Sequence, residues 1–333
     1  MFGVLLTRLG VANVLGSVAT VGWVMALIIA AEILAYAANT LGWRAAFPPG
    51  EPAPPFPRLL AARIAGDAAN YLTPTATLGG EFVRARLLEG HAPMPPVVAS
   101  VMVAKLTQTL GLVAFLAVGL VVVLDETTLS ASARAAVFAG LAVFTGVLAA
   151  LLILQRRGVL TTLLRLGERW IGPQFLAPLR RSIEEVDAEI VRRHKESGGR
   201  IVLSAAGFAV GFALGTVESF LVLWGLGVPV TFKLALAVEV LGVAFNNVFF
   251  FVPLRAGTQE AGKALVFALL GLDPARGLAA GVIYRIRELS WALIGLGILA
   301  LHRLQARTAR PSPAAAGPGQ GPVPGGADRR RPA

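Results

Sequence analysis

The sequence contains no cysteine and few charged residues. Of its 333 residues, 15% are charged and 56% are hydrophobic, whereas a soluble domain carries about 25% charged residues. The absence of cysteine excludes disulfides, thiolate metal sites and cysteine nucleophiles. The three histidines, His91, His194 and His302, lie far apart in the sequence, so we expect no metal site and no cofactor. A chain of this composition has too little polar surface to cover itself in water.

The net charge of +11 is concentrated in two stretches of the chain. Residues 156–200 carry a net charge of +4 and residues 302–333 carry +5. Basic loops beside apolar segments are typical of the cytoplasmic side of membrane proteins. We therefore expect no nucleic-acid partner. The predicted location is the bacterial cytoplasmic (inner) membrane, crossed several times, with a cytoplasmic C-terminus.

Several apolar segments are long enough to cross a membrane, which takes about 20 residues. Four qualify directly, and a fifth qualifies if Arg285, Arg287 and Glu288 lie near one of its ends. With the C-terminus in the cytoplasm, these spans place the N-terminus outside. This placement indicates either an interfacial first helix or a missing first span. The predicted spans are 14–38, 97–124, 134–154, 201–226 and 277–301.

Two further apolar regions, 58–90 and 232–271, are interrupted halfway. Pro74 with Gly79 and Gly80 interrupts the first region, and Pro253 with Gly257 interrupts the second. Each half is shorter than a full span. Broken helices at membrane depth occur only where protein or a water-filled cavity covers them. We predict that both regions are re-entrant helical hairpins with these prolines and glycines as hinges.

The two hairpins belong to an internal repeat. Glu81 and Arg84 follow Pro74 by 7 and 10 residues, and Glu260 and Lys263 follow Pro253 by the same distances. In each copy a glycine, Gly90 or Gly271, ends the second short helix, and a basic residue of the next span follows it. Glu32 and Glu218 precede the two prolines. The two copies have opposite predicted orientations, an arrangement typical of secondary transporters.

These patterns predict an all-α, polytopic membrane protein with two inverted-topology repeats, each containing a re-entrant hairpin. The predicted membrane domain covers residues 1–310. Within it, repeat one covers about 14–124, repeat two covers about 201–301, and 156–200 forms a cytoplasmic helical insert. The Pro/Ala/Gly-rich segment 311–333 is predicted to be a disordered tail.

Charged side chains within apolar segments are costly to place in lipid, so they are expected to face one another or a water-filled groove. Glu81 with Arg84, and Glu260 with Lys263, lie three residues apart on one helix face. Each pair could hold a zwitterionic or phosphate-containing headgroup. The predicted substrate-binding residues are Glu81, Arg84, Lys105, Arg255, Glu260, Lys263 and Arg285.

A structural interpretation stands beside the functional one. A glutamate in the first turn of a helix stabilises the helix dipole, and each pair could be an internal salt bridge. For Glu32 and Glu218 we expect a structural pairing role. Asn70, Asn246 and Asn247 are expected to satisfy backbone groups of the broken helices, and the phenylalanines at 249–251 are expected to pack or to face lipid.

Three segments of the sequence resemble a known family. NYLTPTATLGGEFVRARLLEG, the following PPVVASVMVAK and the later FNNVFFFVPLRAGTQEAG are similar to the flippase-like transmembrane region of lysylphosphatidylglycerol synthases. TPTATLGGE most resembles the hopanoid-biosynthesis-associated and other stand-alone members. The resemblance implies a lipid-translocating membrane domain with two related halves. Lysyl transfer is not expected, because no aminoacyl-transfer domain follows, and Lys105 stands where an arginine is usual.

Three functions remain open at this point. The leading hypothesis is a non-enzymatic flippase for a polar or anionic lipid, with the lipid bilayer and its lipid substrate as partners. The second is a membrane-embedded lipid-modifying enzyme with Glu81 or Glu260 as acid or base, although no GxSxG, HExxH or paired-aspartate motif supports it. The third is a non-catalytic partner of lipid- or glycan-biosynthesis enzymes that binds them through residues 156–200.

Overall fold

The computed structural model describes residues 19–47, 53–73, 78–126, 198–248 and 257–308, together with a few single residues. Most of the predicted span 134–154, most of the predicted insert 156–200 and the whole predicted tail 311–333 lie outside the described residues. Within the insert, Arg180 and Glu184 are helical and form an ion pair at 3.7 Å. The predictions for Pro74, Pro253, Arg255 and the phenylalanines at 249–251 also lie outside the described residues.

The regular structure in the described part of the chain is α-helical, which confirms the all-α prediction. The short helices follow from the local sequence, since prolines or glycines stand near their ends. In chain order the helices are α1 (Val24–Ala45), α2 (Phe56–Leu72), α3 (Leu78–Leu87), α4 (Met94–Glu126), α5 (Gly198–Gly225), α6 (Phe232–Val248), α7 (Thr258–Leu269) and α8 (Pro274–Thr308).

Three of the described helices are long and apolar enough to cross a membrane. They are α1, the part Met94–Val121 of α4, and α5. The predicted spans 14–38, 97–124 and 201–226 overlap these helices. The predicted span 277–301 lies within α8, a continuous helix of 35 residues with several charged residues in its first half.

Each of the two interrupted regions contains two separate helices. Helices α2 and α6 have 17 residues each, α3 has 10 and α7 has 12. All four are shorter than the roughly 20 residues that a span takes. The predicted breaks are therefore confirmed. That each region enters and leaves the membrane on the same side stays a prediction.

Glycines with positive φ end or begin the short helices. Gly90 (φ 79°) follows α3 and Gly271 (φ 71°) follows α7, as the repeat predicts. Gly257 (φ 76°) stands directly before α7. Glycine adopts this left-handed conformation without the steric cost that other residues incur. These three positions set where the chain turns between the short helices and their neighbours.

Glycines also bring α1 and α5 into close contact. A methyl group added at Gly207 of α5 would lie 2.8 Å from the Cα atom of Gly42 in α1, and one added at Gly211 would lie 2.4 Å from Oδ1 of Asn39. Small residues four positions apart let membrane helices approach closely. The first helix of each half therefore packs directly against the first helix of the other.

Among the described residues, four helices follow one another in the same order in each predicted half, and the two sets pack reciprocally. Helix α2 packs against α8 of the other half, and α6 packs against α4. Within each half the short helix packs against the helix before it, α3 on α2 and α7 on α6. The polar side chains of α3 and α7 are thereby placed inside the helical assembly. The inverted orientation of the halves stays a prediction.

Apolar side chains form both the interior and the outer surface. One core cluster includes Ile28, Leu223 and Phe267, and a second includes Trp43 and Phe208. The outer surfaces of the long helices also carry apolar side chains, which are expected to contact lipid because hydrocarbon surrounds a membrane protein at that depth. The most exposed large apolar side chains of the described residues are Trp23, Phe82, Val118, Val121, Val202 and Leu293.

Candidate functional site

The predicted pair of Glu81 and Arg84 is formed on α3. Arg84 Nη1 donates to Glu81 Oε2 at 2.7 Å, and Arg84 Nη2 donates to Oδ1 of Asp67 in α2. The Arg84 side chain is buried between the two carboxylates. Arg84 therefore joins α3 to α2, and little of its guanidinium is open to a ligand. The sequence analysis did not predict Asp67 as a partner of Arg84. Arg63, four residues before Asp67, was a signal that these two residues could pair on one helix face.

The second cation beside Glu81 is Lys105 of α4. Its Nζ atom lies 3.3 Å from Glu81 Oε1, and its side chain is 43% exposed. Glu81 thus contacts a buried cation with one oxygen and an exposed cation with the other. Of the two cations that contact Glu81, Lys105 is the one that an external anion can reach.

In the second half, Glu260 pairs with a residue of the following helix. Arg285 Nε of α8 donates to Glu260 Oε1, so the expected pair with Lys263 is wrong. Helix α8 runs close to α7 here: a methyl group added at Gly281 would lie 2.6 Å from the Cα atom of Glu260. This approach brings Arg285, one turn further along α8, to the carboxylate.

The two halves therefore hold equivalent carboxylate–cation pairs. Lys105 follows Glu81 by 24 residues and Arg285 follows Glu260 by 25. In both pairs the glutamate lies in the first turn of the short helix, where the dipole also favours an anion. The glutamates are buried, whereas the cations are partly exposed, with Arg285 at 24%.

Tyr71 connects the second pair to the first half. Arg285 Nη1 donates to Tyr71 Oη at 3.4 Å. The preceding residue, Asn70, accepts a hydrogen bond from the backbone N–H of Gly80 at 2.6 Å, as predicted for an asparagine beside a broken helix. The end of α2 therefore contacts both α3 and α8. We call Glu81, Lys105, Tyr71, Glu260 and Arg285 the paired site.

Two of the predicted hinge glycines, Gly79 and Gly80, are helical, and a hinge role for them stays a prediction. Gly79 and Gly80 are in the first turn of α3, and a methyl group added at Gly80 would lie 2.1 Å from the carbonyl oxygen of Gly66. Glycine at 80 is therefore required for α3 to approach α2. Asn247 Nδ2 donates to the Val243 carbonyl at 2.8 Å, which is the predicted backbone role.

A second group of buried charges surrounds Arg287. Its Nη1 atom donates to Glu32 Oε2 of α1 at 2.6 Å and to Glu218 Oε2 of α5, and its Nη2 atom lies 3.5 Å from Glu288. The expected pairing role of Glu32 and Glu218 is confirmed, with Arg287 as their shared partner. The sequence offered no local signal for this partner, because the two glutamates lie on other helices.

Hydroxyl groups extend this group of charges to α6 and α7. Ser219 Oγ donates to Glu239 Oε2 at 2.7 Å and lies 2.6 Å from Tyr284 Oη. Lys263 Nζ lies 4.0 Å from the centre of the Tyr284 ring, and the Lys263 side chain is 4% exposed. The Tyr284 cluster, as we name it, consists of Glu32, Glu218, Ser219, Glu239, Lys263, Tyr284, Arg287 and Glu288.

The chemistry of the described side chains indicates which ligands the paired site can bind. In the described residues, no group of three or more histidine, aspartate or glutamate side chains is arranged to hold a metal ion. The paired site instead offers cations beside carboxylates, an arrangement that binds phosphate and amine groups through charge-assisted hydrogen bonds.

The sequence model of one protein family, the lysylphosphatidylglycerol synthase TM region, matches residues 1–297. The chain belongs to this family. The family resemblance inferred from the motifs is therefore confirmed, and so is the prediction of a membrane protein; the link to hopanoids stays a prediction. No curated protein and no solved structure has a significant match to the chain. The paired site and the Tyr284 cluster both lie within the matched residues 1–297.

Proposed function

We propose that this protein moves a polar or anionic lipid across the bacterial cytoplasmic membrane, without catalysing a chemical reaction. The observation that carries the proposal is the occurrence of the same carboxylate–cation pair in both halves, Glu81 with Lys105 and Glu260 with Arg285. Membership of a family of lipid-synthase transmembrane regions supports a lipid as the ligand.

The chemistry of the pairs favours a headgroup that contains phosphate. A phosphate group competes with the glutamate carboxylate for the cation and forms short, charge-assisted hydrogen bonds with it. Arginine presents a planar fork of donors to such an anion, whereas lysine presents a point charge. The glutamate released from its cation can then accept hydrogen bonds from an amine or hydroxyl of the same headgroup.

The two pairs provide two positions for one headgroup. Inverted repeats with broken helices at their interface permit alternating access, in which each half in turn opens to one side of the membrane. In the proposed cycle the headgroup passes from one pair to the other while the acyl chains stay in lipid. The basic stretches 156–200 and 302–333 support a cytoplasmic C-terminus in this proposal.

Lipid movement in proteoliposomes tests the proposal. The probes are fluorescent phospholipids with anionic and zwitterionic headgroups, and the variants are Glu81→Gln and Glu260→Gln. We expect the wild-type protein to move at least one headgroup and each variant to reduce the rate by at least about tenfold, the effect of losing roughly 1.4 kcal/mol of headgroup binding. Glu89→Gln is the matched control, because Glu89 is exposed and pairs only locally with Arg86.

Replacement of Lys105 tests whether transport depends on the positive charge at this position. Lys105→Arg should retain most of the transport rate, since the charge is kept, and Lys105→Gln should lose it. Unchanged rates in Glu81→Gln, Glu260→Gln and Lys105→Gln would contradict the proposal and would favour a scaffold for lipid-biosynthesis enzymes.

A further inference from the structure

The Tyr284 cluster has more carboxylates than cations. It contains four glutamates, Glu32, Glu218, Glu239 and Glu288, and two cations, Lys263 and Arg287. With every group ionised, the cluster would carry a net charge of −2 in the interior of the helical assembly. Charged side chains inside a membrane protein are costly unless they are paired. A proton shared among these carboxylates would lower that net charge.

Two groups of the cluster, Glu218 and Lys263, are incompletely paired. Glu218 Oε1 is buried and has no hydrogen-bond partner, although the other oxygen of the same group contacts Arg287. In the part of the chain that the structure describes, Lys263 forms no ion pair, and its Nζ atom faces the Tyr284 ring and the backbone of Gly242. An unpaired buried charge is strongly destabilising, so both groups are suited to gain and lose a proton.

Hydrogen bonds link Glu239, Ser219 and Tyr284 beside the two groups. Because the Ser219 hydroxyl hydrogen is directed to Glu239, the Tyr284 hydroxyl donates to Ser219. The ring of Tyr284 lies under Lys263 on one side and 5.4 Å from the Arg287 guanidinium carbon. The side chains of Lys263 and Glu218 are both almost fully buried, so no headgroup can reach them. A proton is the ligand that fits this site.

The charged groups around Glu218 and Lys263 come from α1, α6 and α8 as well as from α5 and α7. Each of the two residues also acts electrostatically on the other. The remaining groups in that field are Glu32 from α1, Glu239 from α6, and Tyr284, Arg287 and Glu288 from α8.

We propose that the Tyr284 cluster binds and releases a proton, and that this proton drives the lipid movement proposed above, on which the coupling rests. On uptake, an O–H bond forms at Glu218 Oε1, and Arg287 keeps Glu32 and Glu288 as counter-ions. On release, this bond breaks and the proton leaves to the other aqueous side, without any oxidation or reduction.

The cluster and the paired site share two helices. Lys263 follows Glu260 by three residues on α7, and Arg287 follows Arg285 by two residues on α8. A change in the charge of the cluster therefore acts on the same helices that hold the Glu260–Arg285 pair. Proton occupancy can thus bias which side of the membrane the headgroup site faces.

The test measures how a pH gradient changes the distribution of lipid between leaflets. Proteoliposomes carry a gradient of one pH unit with the voltage clamped at zero, and the probe is the fluorescent phospholipid that the wild type moves. With one proton per lipid, the steady-state ratio between leaflets should shift about tenfold, because one pH unit is worth about 1.4 kcal/mol per proton. Reversing the gradient should reverse the shift.

Substitutions in the cluster identify the site. In Glu218→Gln, which mimics a permanently protonated carboxyl group, the leaflet ratio should no longer respond to the gradient, and a trapped pH-sensitive dye should report no proton entry with the lipid. Lys263→Met should also weaken the response, and it provides a second variant if Glu218→Gln does not fold. Glu89→Gln, outside the cluster, should respond as the wild type does.

The outcomes separate this inference from the proposed function. If the wild type moves lipid with the same leaflet ratio with and without the gradient, proton coupling is overturned and the flippase function stands. If the wild type moves no lipid under any condition, the proposed function itself fails. A full gradient response in both Glu218→Gln and Lys263→Met would show that the proton binds elsewhere.

Discussion

Arg285 of α8 donates a hydrogen bond to the hydroxyl group of Tyr71 at the end of α2, with 3.4 Å between Nη1 and Oη. The same guanidinium pairs with Glu260 of α7. A residue of the second half is thereby joined to the first helix of the interrupted region 58–90. The Glu260–Arg285 pair consequently contacts the helix against which α3 and Glu81 pack, although 179 residues separate the two glutamates in the sequence.

Tyr71→Phe should weaken this connection without unfolding the protein. Removing a hydrogen bond to a charged group costs roughly 1.5–3 kcal/mol when the geometry is good, and this bond is long, so we expect a rate of lipid movement lower by about threefold to tenfold. The melting temperature should change little. Tyr36→Phe is the control, because the Tyr36 ring packs against Trp291 rather than against Arg285. Equal rates in the two variants would contradict a role for Tyr71.

Gly80→Ala should separate α3 from α2. The added methyl group would lie 2.1 Å from the Gly66 carbonyl oxygen and 2.5 Å from the Asn70 side chain, so the helices must move apart. Overpacking of this kind costs about 1–3 kcal/mol, and thermal unfolding in detergent should show a lower melting temperature. In Gly297→Ala the methyl group meets nothing within 4 Å, so the melting temperature should stay the same or rise slightly, since alanine favours helix.

Arg287→Gln should be among the most destabilising single changes in the described part of the chain. It leaves the buried carboxylates of Glu32 and Glu218 without their shared counter-ion, and breaking a buried ion pair in this way costs about 3–5 kcal/mol. The yield of monodisperse protein in detergent is the measurement. The double variant Glu218→Gln/Arg287→Gln should recover part of that yield, because one stranded charge is removed. A double variant that is no better than the single one would show that Arg287 does not act through Glu218.

Several features of the fold follow from neighbouring residues and were predictable. The breaks between α2 and α3 and between α6 and α7 follow from segments too short to span, with glycine and proline at their ends. Gly90 and Gly271 end the short helices because glycine adopts positive φ at low cost. The pair of Glu81 and Arg84 was also predictable, because residues three apart on a helix lie side by side whatever the helix packs against.

Charge partners on different helices were not predictable in this way. Glu260 has a candidate cation three residues away in Lys263, yet it pairs with Arg285, because Gly277 and Gly281 let α8 lie close to α7 and Arg285 occupies the same face one turn later. For the same reason Arg287 finds Glu32 and Glu218, which are 255 and 69 residues distant. Composition and local periodicity determined that this chain is a helical membrane protein with two broken regions. Helix packing alone decided which buried carboxylate meets which cation, because that choice depends on how closely two backbones approach.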